Sequence, residues 1–240
     1  MINHVIIAAF DKRKFLWKQL ERDCLARGWF TRLFISGDGS DSSLIYDNID
    51  PDPCNIPDSW KWGRNDENLN LSMKHHYLAY LTHKKIIKYA ADNNFPNILL
   101  VEDDAYLINS NNRFDKVWYK LLPEIKSLKW DLIYLGCHYG DYNWNEYGES
   151  NLQIEKEYKE QGIYRLTWIA QTGGLFGVLI NNSIYDLILN LPAENPIDGQ
   201  LSIFNLKREI KAYVIVPNII YTYGGFSFCE QYTMKRSILT

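Results

Sequence analysis

Little in this sequence points toward nucleic acid, a membrane or an oxidising compartment. Cysteine is scarce: Cys24, Cys54, Cys137 and Cys229 are far apart, and no C-x-x-C occurs. That spacing suits neither a zinc site nor a disulfide framework, so the thiols are expected to be reduced. There is no surplus of one charge. The formal net charge is -3 and the lysines and arginines are scattered, which leaves no footprint for nucleic acid. No apolar run reaches membrane-spanning length. The apolar run Val5 to Phe10 is short, lacks a basic leader and is followed by "DKRK", so it does not read as a signal peptide. The expectation is a cytoplasmic protein with no integral membrane segment. No internal repeat or low-complexity tract is visible.

What is present is an ordinary globular composition of 46% hydrophobic and 23% charged residues. The 240 residues suffice for one sizeable core. Aromatics reach 15%, with eight Trp and seventeen Tyr. A surplus of this kind lines pockets for ring-shaped ligands, or simply fills core and surface.

"HVIIAAF" reads as a buried first strand. "DKRKFLWKQLERDCLARG" reads as a helix, with Leu16, Leu20 and Cys24 on one face and Gly28 as its stop. "FTRLFIS" is a second strand, so the chain opens β-α-β with parallel strands. Residues 37–66 form a long stretch dominated by Gly, Asp, Ser and Pro, of the kind that is functional or disordered. A helix is expected from about Leu71 to Asp92, then the strand "NILLVEDD". "RFDKVWYKLLPEIKSL" reads as helical at its start and "WDLIYLG" as the next strand. Residues 137–160 are polar and aromatic and read as another functional loop. "GIYRLTW" and "GLFGVLI" are strands around a Gly-Gly pair, "NNSIYDLILNL" a short helix capped by Asn181 or Asn182, and "AYVIVP" a late strand. From Pro217 on, the pattern specifies no element. Alternating strands and helices predict an α/β fold with a central, mostly parallel sheet flanked by helices, in a single domain over residues 1–240.

The stretch "ILLVEDDAYL" carries the chemistry. A buried strand runs into Glu102, Asp103 and Asp104. In open α/β sheets, ligands sit beyond the carboxyl ends of strands. Adjacent carboxylates repel, and a hard cation with oxygen ligands relieves this. Alternate residues of an extended chain share a face, so Glu102 and Asp104 would point one way and Asp103 the other. The plainer reading is a strand-to-loop turn with solvated acids. Two protein classes write such a string. One is the receiver domain of bacterial response regulators, but the position that would carry its phosphorylated aspartate, at the end of "DLIYLG", is Gly136. About a hundred residues also precede the acids, so that reading is rejected.

The other is the GT-A type of nucleotide-sugar glycosyltransferase. The chain resembles glycosyltransferase family 25, which includes lipooligosaccharide and collagen galactosyltransferases. The resemblance rests on an ordered set of short motifs: "FDKRK" at Phe10–Lys14, "YLTHKKI" at Tyr80–Ile86, "LLVEDDAYL", "KWDLIYLG" at Lys129–Gly136, "TGGLFGVLINNSIYDLIL" and "NPIDGQL". Together they span roughly residues 4 to 205. Three features depart from the pattern. Thr82 stands where the family has Ser before His83, the first strand ends Ala8-Ala9-Phe10 rather than Asn-Leu, and the final segment has no match.

The resemblance implies a GT-A fold and transfer of a hexose, galactose or glucose, from a UDP-sugar to a glycan or hydroxylated acceptor, with inversion. It implies a divalent metal, Mn²⁺ or Mg²⁺, at Asp104 with Glu102, and Asp103 close by. A departing nucleoside diphosphate needs such a Lewis acid. Asp198 in "PID" is the candidate general base, or else only a helix N-cap, with Glu194 in reserve. His83 would serve the donor site or the packing of its helix. Asp11 and Arg13 would face the nucleotide or its phosphates, while Lys12 reads as solvated. Gly173 and Gly174 would let backbone approach a sugar closely. Tyr142, Trp144 and Tyr147 could form an acceptor platform. His75 and His76 are adjacent, which is poor metal geometry, and receive no role. The alternative outside enzymes is a non-catalytic nucleotide-sugar or glycan-binding domain of the same fold, and blander still a scaffold.

Overall fold

The computed structural model of the chain describes residues 2–10, 14–36, 67–108, 112–138, 164–168, 173–223, 225–227 and 232–234. In chain order these give β1 (His4–Phe10), α1 (Lys14–Leu25), β2 (Phe30–Ser36), α2 (Glu67–Asp92), β3 (Asn97–Glu102), β4 (Ala105–Leu107), α3 (Arg113–Ser127), β5 (Leu132–His138), β6 (Arg165–Trp168) and β7 (Gly173–Asn181). Then come a 3₁₀ turn (Asn182–Ile184), α4 (Tyr185–Leu189), α5 (Ile197–Leu206), β8 (Ala212–Val216), β9 (Ile220–Thr222), β10 (Gly225–Ser227) and β11 (Tyr232–Met234).

The sheet has seven strands in the order β2-β1-β3-β7-β5-β8-β6. Strands β1, β2, β3, β5 and β8 run one way, and β7 and β6 run the other. The α/β class, the mostly parallel sheet and the opening β-α-β unit are therefore borne out. The carboxyl ends of β1, β3 and β5 gather at one edge of the sheet, and antiparallel β7 begins at that same edge. Ala8 lies opposite Glu102, and His138 lies opposite Gly173.

Side chains of successive strand residues face opposite ways, and both faces of this sheet are buried. Ile6, Leu100, Tyr134, Val178 and Val214 pack with Ile86, Ile87 and Ala90 of α2, Ile188 of α4 and Leu201 of α5. On the other face Ile7, Val101, Ile133, Leu135 and Phe176 pack with Trp17 and Leu20 of α1 and with Phe114, Val117 and Leu121 of α3. Strands buried on both sides read as continuous apolar runs rather than alternating ones, as "NILLV" does.

Three local features follow from side-chain chemistry. Asn181 caps the 3₁₀ turn, its side chain accepting the Ser183 N–H at 3.0 Å. Lys84 of α2 donates to the carbonyls of Ile188, Leu189 and Leu191, so a cation closes the C-terminus of α4. Arg27 makes a two-pronged pair with Asp115, both bonds 2.9 Å, tying the end of α1 to the start of α3.

Helix α3 corrects one expectation. It continues through Pro123 to Ser127 instead of being helical only at its start. Proline removes a donor and obstructs the carbonyl four residues earlier. That carbonyl belongs to Tyr119, and both Tyr119 and Pro123 are exposed, so the lost bond falls on the solvent side of the helix, where it costs least. Apolar packing of Phe114, Val117, Trp118, Leu121 and Ile125 outweighs the break.

Cys24 and Cys137 are buried free thiols. Burial pushes the Cys24 thiol up to about 12, which makes it inert. Cys54 and Cys229 lie outside the described residues. Among the described residues, no helix is long and apolar enough to cross a membrane.

Candidate active site

The acid turn stands at the gathered edge of the sheet. Strand β3 lies between β1 and β7, and Glu102 is its last residue. The chain turns at Asp103 and Asp104 and re-enters extended structure at Ala105. From Val101 to Ile108 burial alternates residue by residue. Val101, Asp103, Ala105 and Leu107 are buried, while Glu102, Asp104, Tyr106 and Ile108 are partly exposed. Asp103 is only 2% exposed, the most buried of the three acids, although the chain here is a turn rather than the extended strand that the alternation argument assumed. The main chain of the turn is pinned: the Tyr223 N–H donates to the Asp104 carbonyl at 2.8 Å.

A second group of acid, imidazole and glycine assembles beside it from three distant segments. Helix α5 starts with Pro196 at its N-cap, so Asp198 is not the cap. Its carboxylate reaches across to β7 instead, where the Gly174 N–H donates to Asp198 Oδ2 at 2.8 Å. Gly174 sits at φ 75, a left-handed conformation that side chains with a Cβ resist. Glycine is needed there to aim the N–H at Asp198.

His83 completes the group from α2. It is buried, and desolvation pushes its imidazole down to about 4, opposed by the Asp198 carboxylate. His83 is thus a neutral imidazole within electrostatic reach of Asp198 at ordinary pH. Thr82, its buried neighbour, donates its hydroxyl to the Leu78 carbonyl at 2.8 Å within the helix.

The other sequence candidates fall as follows. Gly173 lies opposite His138 at the start of β7. Glu194 is exposed in the turn between α4 and α5. Gln200 holds that turn by donating to the carbonyls of Pro192 and Asn195 at 2.9 and 2.6 Å. Asp11, Lys12, Arg13, Tyr142, Trp144 and Tyr147 lie outside the described residues. Among the described residues, no group of three or more His, Cys, Asp and Glu side chains converges as a metal set.

Sequence reasoning missed the support under the acid turn. Strand β4 pairs antiparallel with β9, 113 residues later at its closest register, Ala105 opposite Thr222 through Leu107 opposite Ile220. This two-stranded ribbon lies on the sheet at paired Gly136 and Gly177. A Cβ at Gly136 would strike the Ile220 carbonyl oxygen and the Phe176 ring, and one at Gly177 would come within 2.9 Å of the Ile220 side chain. So Gly136, the position that excluded a phosphorylated aspartate, is a seat for β9. The available signal was a pair of strand glycines, which mark close backbone approach.

No family model matches this chain, and no curated protein matches it. Solved structures similar to it include A197 from STIV, with a TM-score of 0.45 and 8% identity over 99% of this chain and 95% of that one. Another is a glycosyltransferase involved in the glycosylation of the major capsid of PBCV-1, with a TM-score of 0.38 and 10% identity over 78% of this chain and 63% of that one. A third is mouse xyloside xylosyltransferase 1 in its apo form, with a TM-score of 0.36 and 9% identity over 89% of this chain and 85% of that one. Likenesses at this level carry no functional argument.

Proposed function

We propose that this chain is a GT-A-type glycosyltransferase that moves a hexose, galactose or glucose, from a UDP-sugar to a hydroxyl of a glycan or other hydroxylated acceptor, with inversion. The observation that carries the reading is the Asp198 carboxylate, fixed by the Gly174 N–H at the sheet edge where the acid turn also stands. The ordered motifs that resemble glycosyltransferase family 25 support it, since His83, the acid turn, Gly174 and Asp198 all derive from them.

In this reading Asp198 is the general base. The acceptor hydroxyl gives its proton to the carboxylate as its oxygen bonds to the anomeric carbon, and the bond from that carbon to the diphosphate breaks. Such a base must be held in one orientation, and Gly174 does this through Oδ2. Neutral His83 adds no competing positive charge beside the base. Glu102 and Asp104 are hard oxygen donors on partly exposed residues, with Asp104 Oδ1 itself buried, and such donors suit a divalent cation held by one or two carboxylates. When bound there, Mn²⁺ or Mg²⁺ would offset the charge of the leaving diphosphate.

The test is a screen of UDP-, GDP- and CMP-sugars for hydrolysis with and without Mn²⁺. The expected result is Mn²⁺-dependent release of UDP from a UDP-hexose. Hydrolysis of a GDP-sugar with none of any UDP-sugar would overturn the donor class.

A further inference from the structure

The ribbon beside the acid turn has a second face. Its inner residues, Ala105, Leu107 and Ile220, are buried against the sheet. Tyr106 stands opposite Tyr221, so both rings project from the outer face, and Tyr223 follows two residues later on the same side. The Tyr106 and Tyr223 ring centroids are 4.5 Å apart with planes inclined by 37°. Tyr106 and Tyr221 are 5.9 Å apart at 27°. Tyr221 is buried, whereas Tyr106 and Tyr223 are partly exposed.

These rings sit on a rigid base. The Ile219 N–H donates to the Leu135 carbonyl at 2.8 Å, and the Ile108 N–H to the Ile219 carbonyl at 3.0 Å. Ile220 is pressed onto Gly136 and Gly177. The rings are also tied to the acids. Tyr223 bonds the Asp104 main chain directly, and Tyr106 follows Asp104 by two residues on the same partly exposed side.

We propose that Tyr106 and Tyr223 form a stacking wall for the pyranose ring of the sugar that lies next to the acid turn. The inference rests on the transferase reading for its placement of the diphosphate at Asp104. A pyranose shows a face of C–H bonds, weakly positive, which suits the negative face of an aromatic ring. Tyrosine supplies this with few rotatable bonds, and its hydroxyl offers a partner to sugar hydroxyls at the rim. Distance along the ligand favours the pyranose over the nucleobase. In a sugar nucleotide the hexose is joined directly to the diphosphate, while the base is set back by the ribose. Rings attached next to Asp104 therefore meet the hexose side first. The same chemistry serves the donor hexose or the terminal sugar of a glycan acceptor.

The experiment compares the wild type with the double variants Tyr106→Leu/Tyr223→Leu and Tyr106→Phe/Tyr223→Phe, and with Tyr223→Leu alone in case the double leucine variant does not fold. Calorimetry with Mn²⁺ measures UDP, UDP-glucose and UDP-galactose, and an immobilised glycan panel measures acceptors. Expected is UDP affinity unchanged throughout, with a UDP-hexose or a retained glycan bound about tenfold less tightly by the leucine variants and within about twofold by the phenylalanine variant. Weakening of the UDP-hexoses alone assigns the wall to the donor sugar, and weakening of the glycan alone assigns it to the acceptor. Loss of UDP affinity itself in the leucine variants would place the nucleobase on these rings and overturn the proposal. Leucine variants that bind every probe like the wild type would overturn it as well. If the wild type binds no nucleotide but its glycan binding still falls on leucine substitution, the wall stands and the transferase reading fails. Binding of neither class by the wild type removes both.

Discussion

Asp198 and Gly174 hold each other: a main-chain N–H from the second residue of β7 donates to a carboxylate from the first turn of α5 at 2.8 Å. They are 24 residues apart in sequence. The glycine's φ of 75 directs the N–H.

Gly174→Ala should therefore cost more in activity than in stability. A Cβ at positive φ costs about 1 kcal/mol, a fall of roughly 2–4 °C in Tm for a chain of this size. Turnover of the UDP-sugar should fall by tenfold or more because the base is no longer aimed. Gly199→Ala is the control. Nothing lies within 4 Å of an added Cβ there, and alanine favours a helix by up to about 1 kcal/mol, so Tm should rise. Thermal melts and initial rates on both variants check this.

His83 gives a pH prediction. Its imidazole is buried and held down at about 4 by desolvation, against 6.5 in the unfolded chain. Between those values the unfolded chain binds a proton that the folded chain refuses, so stability rises with pH. The contribution is fully present above about pH 6.5 and is lost as pH falls toward 4, with a magnitude of order 3 kcal/mol. Partly buried His4, also lowered by desolvation, acts in the same direction. The comparison is therefore urea unfolding of wild type against His83→Gln from pH 4 to 7. The difference between the two curves should shrink or reverse on acidification; parallel curves would contradict the burial of a neutral imidazole.

Gly136→Ala tests the seat of the ribbon. Its Cβ would strike backbone rather than a movable side-chain tip, so the overpacking cost should be about 1–3 kcal/mol. A lower midpoint in urea with an unchanged slope is the expected signature. A midpoint equal to that of the wild type would mean that β9 does not press on β5.

The parts legible in the sequence are those written locally. The apolar run "NILLV" followed by three acids located the end of a buried strand, and Pro196 before Ile197-Asp198 marked a helix start. What local pattern could not specify was pairing across distance. Nothing in "GGLFGVLIN" states that β7 inserts antiparallel between β3 and β5. Strands β4 and β9 have three residues each, too short to show a period, and they pair across more than a hundred residues of sequence. The Asp198–Gly174 bond was likewise hidden. Each residue was singled out by motif, but the cap alternative for Asp198 was removed only by seeing that its carboxylate leaves its own helix.

The most direct test of the central claim is the rate of Mn²⁺-dependent UDP release from a UDP-hexose by the wild type, Asp198→Asn and Asp104→Ala, with Tm recorded in parallel. The account predicts turnover by the wild type and a loss of about a hundredfold or more in each variant, with UDP affinity kept in Asp198→Asn and weakened in Asp104→Ala. Folded variants that turn over the donor as fast as the wild type would contradict it.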